Sequence, residues 1–154
     1  MNTLYYNDLE IGAVFRSGGR TVTETDMMMF CMQSGDWNPI HCNSAFAAKT
    51  RFGQRIVPGL FGLSLITGAM SQWGVFEESA IAMLNIRDWV FKAPLLVGVT
   101  IYVEMLIEDK RPTSRKDAGI VVRKFHLLSE NDEVLQEGYC DMMIRMEPEK
   151  AVRH

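Results

Sequence analysis

Hydrophobic and polar positions follow two different periods along this chain. In VGVTIYVEMLIE, residues 97–108, Val97, Val99, Ile101, Val103, Met105 and Ile107 share one face, and Thr100, Tyr102, Glu104 and Glu108 share the other. Strict alternation of this kind predicts a half-buried strand. The same test predicts strands over residues 81–92, 119–128 and 134–146, the last with Val134, Gly138, Cys140, Met142, Ile144 and Met146 on its apolar side. The connectors KRPTSRKD and SENDE are polar turns. Upstream the period lengthens. TETDMMMFCMQSG, residues 23–35, opens with Thr and acidic residues as a capped helix does, and its methionines are read as core. Before it, AVFRSGGRTVT predicts a hairpin or bent strand around Gly18 and Gly19. Residues 44–49 suit one or two helical turns, which RFGQR then breaks, and Pro58 is placed in the first turn of a long helix over residues 56–76.

That last stretch, IVPGLFGLSLITGAMSQWGVF, carries no charge over a length that could cross a bilayer. Its Pro58, four glycines (Gly59, Gly62, Gly68, Gly74) and polar Ser64, Thr67, Ser71 and Gln72 predict instead a buried helix wrapped closely by other backbone, with no membrane partner. Helices followed by successive strands with hairpin-length links indicate the α+β class, an antiparallel β-sheet with helices on one face. A charge-free helix needs cover almost all round, and a sheet curled about it would supply that. Such a sheet keeps free edges, so a homodimer or a dimer of dimers is expected. No repeat, low-complexity tract or linker interrupts residues 1–154, which predicts a single domain.

Composition narrows the partners. With 154 residues and 47% hydrophobic content, the chain can bury one core. Its 16 basic and 19 acidic side chains are interspersed, for a net charge of -3, so no global positive field exists to hold nucleic acid or an anionic membrane. MNTLYYNDLEIG lacks the basic and apolar regions of an export signal, and three cysteines, Cys31, Cys42 and Cys140, show no CxxC spacing. A cytoplasmic setting is expected, with all three as small buried hydrophobes. Metal-ligand spacing, nucleotide-binding glycine fingerprints and a GxSxG elbow are all lacking.

The candidate chemistry lies in SGDWNPIHCNSAFAA, residues 34–48. Asp-x-Asn-Pro is ordinary turn vocabulary, and a plain connector is one reading. The other is geometric: a helix end followed by a proline-fixed turn can bring Asp36 and His41 to the same side, where a carboxylate and an imidazole hold one water. The first turn of the long helix has backbone N–H groups without intrahelical acceptors, at the positive end of the helix dipole. A carbonyl oxygen docked there would be polarised; Gly59 has no side chain to block it, and Pro58 only shapes the turn. Arg51 and Arg55 flank the motif, and Lys110, Arg111, Arg115 and Lys116 make a basic turn, all candidates for meeting ligand phosphates. Arg87 and Trp89 share a strand face, His126 is read as a sheet histidine, and His154 as part of a frayed terminus.

SGDWNPIH, followed by AFAAKTRFGQRIVPGLFG and more weakly by RDWVFKAPLLVG, resembles the hydratase motif of the MaoC-like, or (R)-specific, enoyl-CoA hydratases. The resemblance implies a hot-dog fold, a sheet wrapped around a long central helix, and reversible addition of water to a trans-2-enoyl thioester of coenzyme A or acyl carrier protein. It further implies that Asp36 and His41 bind and activate the water, that the Gly59 N–H meets the thioester carbonyl, and that Asn38 fixes the loop, with no metal and no cofactor. Pro58 stands where many members have histidine, and Gly98-Val99 where Gly-Asp is common, which leaves acyl-chain preference open. Two other functions remain compatible with the residues: a hot-dog thioesterase, and a non-catalytic acyl-binding subunit.

Overall fold

A computed structural model of the protein describes residues 3–147; His154 lies outside the described residues. A turn of 3-10 helix, Tyr6–Asp8, leads into two short strands, β1 (Val14–Arg16) and β2 (Arg20–Thr21). Four helices follow: α1 (Glu24–Ser34), α2 (Pro39–Cys42), α3 (Ser44–Ala47) and α4 (Gly59–Trp73). Six strands follow among the described residues: β3 (Ala80–Met83), β4 (Arg87–Phe91), β5 (Thr100–Pro112), β6 (Ala118–Ser129), β7 (Val134–Tyr139) and β8 (Met142–Arg145). The strands form one antiparallel sheet in the order β1-β5-β6-β7-β4, with β2 also on β5 and β8 joining β6 to β3. This is the α+β hot-dog arrangement, with α4 as the enclosed helix.

Two expected strands are each broken in the middle, and the break makes the curl. Residues 81–92 divide into β3 and β4, and residues 134–146 into β7 and β8, at facing points. There Leu84 N donates to Asp141 O (2.8 Å), Asn85 Nδ2 donates to Asp141 Oδ2 (2.9 Å) and Asp141 N donates to Asn85 Oδ1 (3.2 Å), while Asp88 adopts φ +52°. These polar ties replace ladder bonds, so both strands of the pair bend together. The long strand β6 then pairs with β8 over residues 118–121 and with β7 over residues 124–128.

Inside the curl, Phe61, Leu65, Ile66 and Ala69 of α4 pack with Val103, Met105 and Ile107 of β5 and Val121, Phe125 and Leu127 of β6. The inward set of β5 is the one its alternation predicts, but Val97 and Val99 precede the strand, with Gly98 turning between them at φ +93°. Helix α4 is shorter than expected: Pro58 is its N-cap rather than a first-turn residue, and Gly74 closes it in the left-handed conformation at φ +64°. Its cover is also incomplete, because Leu60, Ser64, Thr67, Gly68, Ser71 and Gln72 are exposed. Helix α1 shows the predicted cap, with Thr23 and Asp26 bonding each other's backbone N–H and Gly35 at φ +73°. Of its methionines only Met27 is fully buried; Met29 and Met32 face outward. Cys31 and Cys140 are buried, whereas Cys42 is exposed.

Among the described residues, β3 and β4 pair on one side only, and this edge carries exposed Ile81, Met83, Leu84, Ile86, Val90 and Phe91. His126 is a sheet histidine on the outer face, between Glu104 (3.4 Å) and Glu137 (3.4 Å). Arg87 stacks on Tyr139 (4.1 Å) and pairs with Asp141 (3.3 Å). Lys110 and Arg111, expected in a basic turn, lie instead in β5, paired with Val121 and Ile120 of β6, and Lys110 is engaged by the Tyr6 carbonyl (3.1 Å) and ring (4.8 Å). No helix among the described residues is long and apolar enough to cross a membrane.

Candidate active site

The turn after α1 is built by short-range polar bonds. Gly35 N donates to Cys31 O (2.9 Å) and ends the helix, and its left-handed φ reverses the chain. Asp36 N then donates to Ser34 Oγ (3.2 Å), and Asn38 Oδ1 accepts from Ile40 N (3.1 Å), capping α2 with Pro39 in its first turn. One turn later His41 points inward, 8% exposed. Asn38 therefore acts on the backbone and does not line the cleft described below.

His41 and Asp36 meet, with Nε2 3.5 Å from Asp36 Oδ2. The other ring nitrogen, Nδ1, lies 2.7 Å from the Ile56 carbonyl oxygen. A carbonyl only accepts, so Nδ1 carries a proton, and a ring with that single proton presents its lone pair at Nε2. Two acceptors at 3.5 Å do not bond each other directly, but one water can donate a proton to each. Beneath the pair, burial first and then the Asp36 charge push the Cys31 thiol up from its ordinary range, which keeps it protonated and unreactive.

His41 opens onto a cleft of about 250 Å³. Its walls are largely apolar, with Ile56, Val57, Phe91 and Leu95, and its far side holds Gly59 at the start of α4. The segment between is pinned: Ile56 N donates to Ile40 O (3.3 Å) and Val57 N to Leu95 O (2.8 Å). Phe61 N reaches Pro58 O (3.0 Å), and Gly59 begins the helix with an N–H that has no intrahelical acceptor. A Cβ on Gly59 would come within 2.9 Å of the exposed Phe91 ring, which would have to swing aside for any other residue.

The two flanking arginines separate. Arg51 lines the cleft and stacks on Phe52 (4.9 Å). Arg55, expected beside the ligand, instead pairs with Glu24 of α1 (2.8 Å) and borders a different surface hollow with Ser44 and Val97. The carboxylate is the nearer charge, and it claims the guanidinium. Three residues that pattern reading passed over also belong to the cleft: Phe91, Lys92 and Gln136. Lys92 pairs with Glu137 (2.5 Å), and its hydrogen bond is the main cause holding that carboxyl below its usual range. Gln136 was findable, because it is the polar residue among inward positions that also include Gly138 and Cys140.

A profile of the family described as MaoC like domain matches residues 8–126. The chain belongs to the MaoC-like domain family. A 3-hydroxybutyryl-CoA dehydratase of Methylorubrum extorquens is 30% identical to this MaoC-like chain over 138 residues, 90% of this chain and 82% of the relative. An (R)-specific enoyl-CoA hydratase of Aeromonas caviae is 36% identical over 106 residues, 66% of this chain and 76% of the relative. The solved structure of a monoamine oxidase regulatory protein from Archaeoglobus fulgidus superposes with a TM-score of 0.88 at 30% identity, covering 96% of this chain and 98% of that one. This MaoC-like protein is thus an enzyme of the hydratase and dehydratase kind, a carbon–oxygen lyase.

Proposed function

We propose that the protein adds water reversibly to the double bond of a trans-2-enoyl thioester, interconverting it with the 3-hydroxyacyl thioester. Asp36 and His41 hold the water, each accepting one of its protons, so that an oxygen lone pair faces C3 of the acyl group. As the C3–O bond forms, one proton passes to the pair, electron density moves onto the thioester oxygen, and a proton is returned to C2. Negative charge on that oxygen is met by the Gly59 N–H at the positive end of α4; one such donor is typically worth about 10² to 10³ in rate. The observation that carries this reading is the shared cleft of His41 and Gly59, with Asp36 3.5 Å from the free ring nitrogen.

The remaining site residues support these roles. Asn38 fixes the loop, Pro58 sets the entry into α4, and Arg51 stands where the phosphates of coenzyme A or of an acyl-carrier prosthetic group would lie. The apolar, one-sided edge of β3 and β4 supports a homodimer or a pair of dimers. Three free cysteines are in keeping with a reducing cytoplasm, and residues 1–154 are read as one catalytic domain. Incubation with crotonyl-CoA tests the proposal. Loss of the conjugated enoyl absorbance without release of thiol is expected. Thiol release would make the protein a thioesterase, and no change with any enoyl-CoA or enoyl-carrier thioester, varied in length and branching, would overturn the reading.

A further inference from the structure

Gln136 reaches the cleft from β7, 1% exposed, and its amide is committed in one orientation. Trp89 Nε1, from β4, donates to Gln136 Oε1 (3.2 Å), and Gln136 Nε2 donates to the Gly59 carbonyl oxygen (3.1 Å). An indole nitrogen only donates, so Trp89 forces the oxygen of the amide toward itself and the nitrogen toward the helix. Gly62 completes the fit, since a Cβ there would fall on the Gln136 amide.

We propose that Gln136 is a positioning residue for the carbonyl-polarising end of α4, a role that rests on the hydration reading above. Glycine is the loosest residue with which to begin a helix. A donor from outside the helix to the Gly59 carbonyl restrains the peptide plane that follows Gly59, and with it the direction of the Gly59 N–H. Together with the Val57–Leu95 bond (2.8 Å) it ties both ends of residues 57–59 to the sheet and its loops. Placement errors near 1 Å can cost about 10² in rate, so a restraint of this kind bears on turnover more than on binding.

The test compares Gln136→Leu, Gln136→Glu and Trp89→Phe in the full chain, with circular dichroism as the check on folding. Gln136→Leu is expected to lower kcat by about tenfold to a hundredfold with KM within about threefold. In Gln136→Glu only the protonated acid can donate to the Gly59 carbonyl, so its activity relative to Gln136→Leu rises as pH falls. Trp89→Phe frees the amide to turn over, and an intermediate loss of kcat is expected. Should Gln136→Leu fail to fold, the other two variants decide with the parent as reference, the activity of Gln136→Glu relative to the parent rising as pH falls. A readout independent of turnover is the backbone order parameter of Gly59, expected near about 0.85 in the parent and lower in Gln136→Leu. Parental kcat in Gln136→Leu, a pH-independent ratio, or an unchanged Gly59 order parameter would overturn the inference. A parent that hydrates no thioester removes the hydration reading alone, and the order parameter still decides whether Gln136 restrains the helix start.

Discussion

Asp36→Asn separates chemistry from structure better than any change at His41. The His41 ring is 8% exposed and donates to the Ile56 carbonyl, so deleting it strands a buried acceptor at a cost of about 1–3 kcal/mol. The Asp36 side chain is 47% exposed and makes no direct bond to the ring, so little stability rests on it. Asparagine keeps an oxygen for the long bond from Asn38 N (3.3 Å). Its melting temperature should therefore stay within about 4 °C of the parent. Catalysis should respond differently. An amide NH2 facing Nε2 donates to the ring and fills the place of the shared water, while the acceptor for the second water proton is gone. General acid–base groups contribute about 10² to 10⁴, so the barrier should rise by about 3–5 kcal/mol. The assay is the initial rate of enoyl absorbance loss under saturating thioester, beside a thermal melt. A variant that melts normally and retains more than a tenth of parental kcat would refute the shared-water argument.

Arg51→Ala should raise KM for a coenzyme A thioester severalfold, whereas Arg55→Ala, tied to Glu24, should leave KM unchanged; equal effects in steady-state kinetics would contradict the separation of the two. Asp26 should make stability acid-sensitive. Burial, the largest influence on it, pushes its carboxyl up, but hydrogen bonds from Thr23 and the charge of Arg20 outweigh this and hold it below the ordinary range. Its contribution is thus present above the unfolded value near about 3.9 and is lost as pH falls through the folded value. Asp26→Asn should cost about 1 kcal/mol at pH 7, and denaturant titrations should show the difference from the parent shrinking below about pH 4. Finally, Ile81→Asp on the open β3 edge should convert a particle of twice 17.5 kDa, or a larger multiple, to one of 17.5 kDa in light scattering, and a monomeric parent would remove the edge-pairing argument.

Alternation and capping were legible because each is local. The inward set of β5 and the Thr23 cap need only a few residues of context, and both appear as the pattern demands. The bends at Asn85 and Asp141 were not legible, since they depend on two segments 56 positions apart exchanging side-chain bonds. Likewise the proximity of Asp36 and His41 was suggested by a helix end followed by a proline-fixed turn, while the partner of the ring, the Ile56 carbonyl, is an unmarked backbone atom. The pairing of Arg55 with Glu24, 31 positions away, was hidden because charge in a sequence shows its sign and not its nearest counter-ion. Arg123 is the sharpest case: alternation puts it inward, and it is fully buried, donating to Cys140 O (2.9 Å) with Met70, Met105 and Cys140 sulfurs around it.

The strap from Ile56 to Gly59 carries two adjustments at once. Its first carbonyl accepts from the His41 ring, and its last residue opens α4, so on the hydration reading proposed above the anchors of the nucleophile and of the electrophile would ride on the same four residues. A tug on this strap shifts both together and preserves their mutual spacing. The side chains of Phe91 and Leu95 line the cleft from outside the strap, so on the hydration reading proposed above a change of either side chain would reshape the room for the acyl group while the backbone bond from Val57 N to Leu95 O stays available.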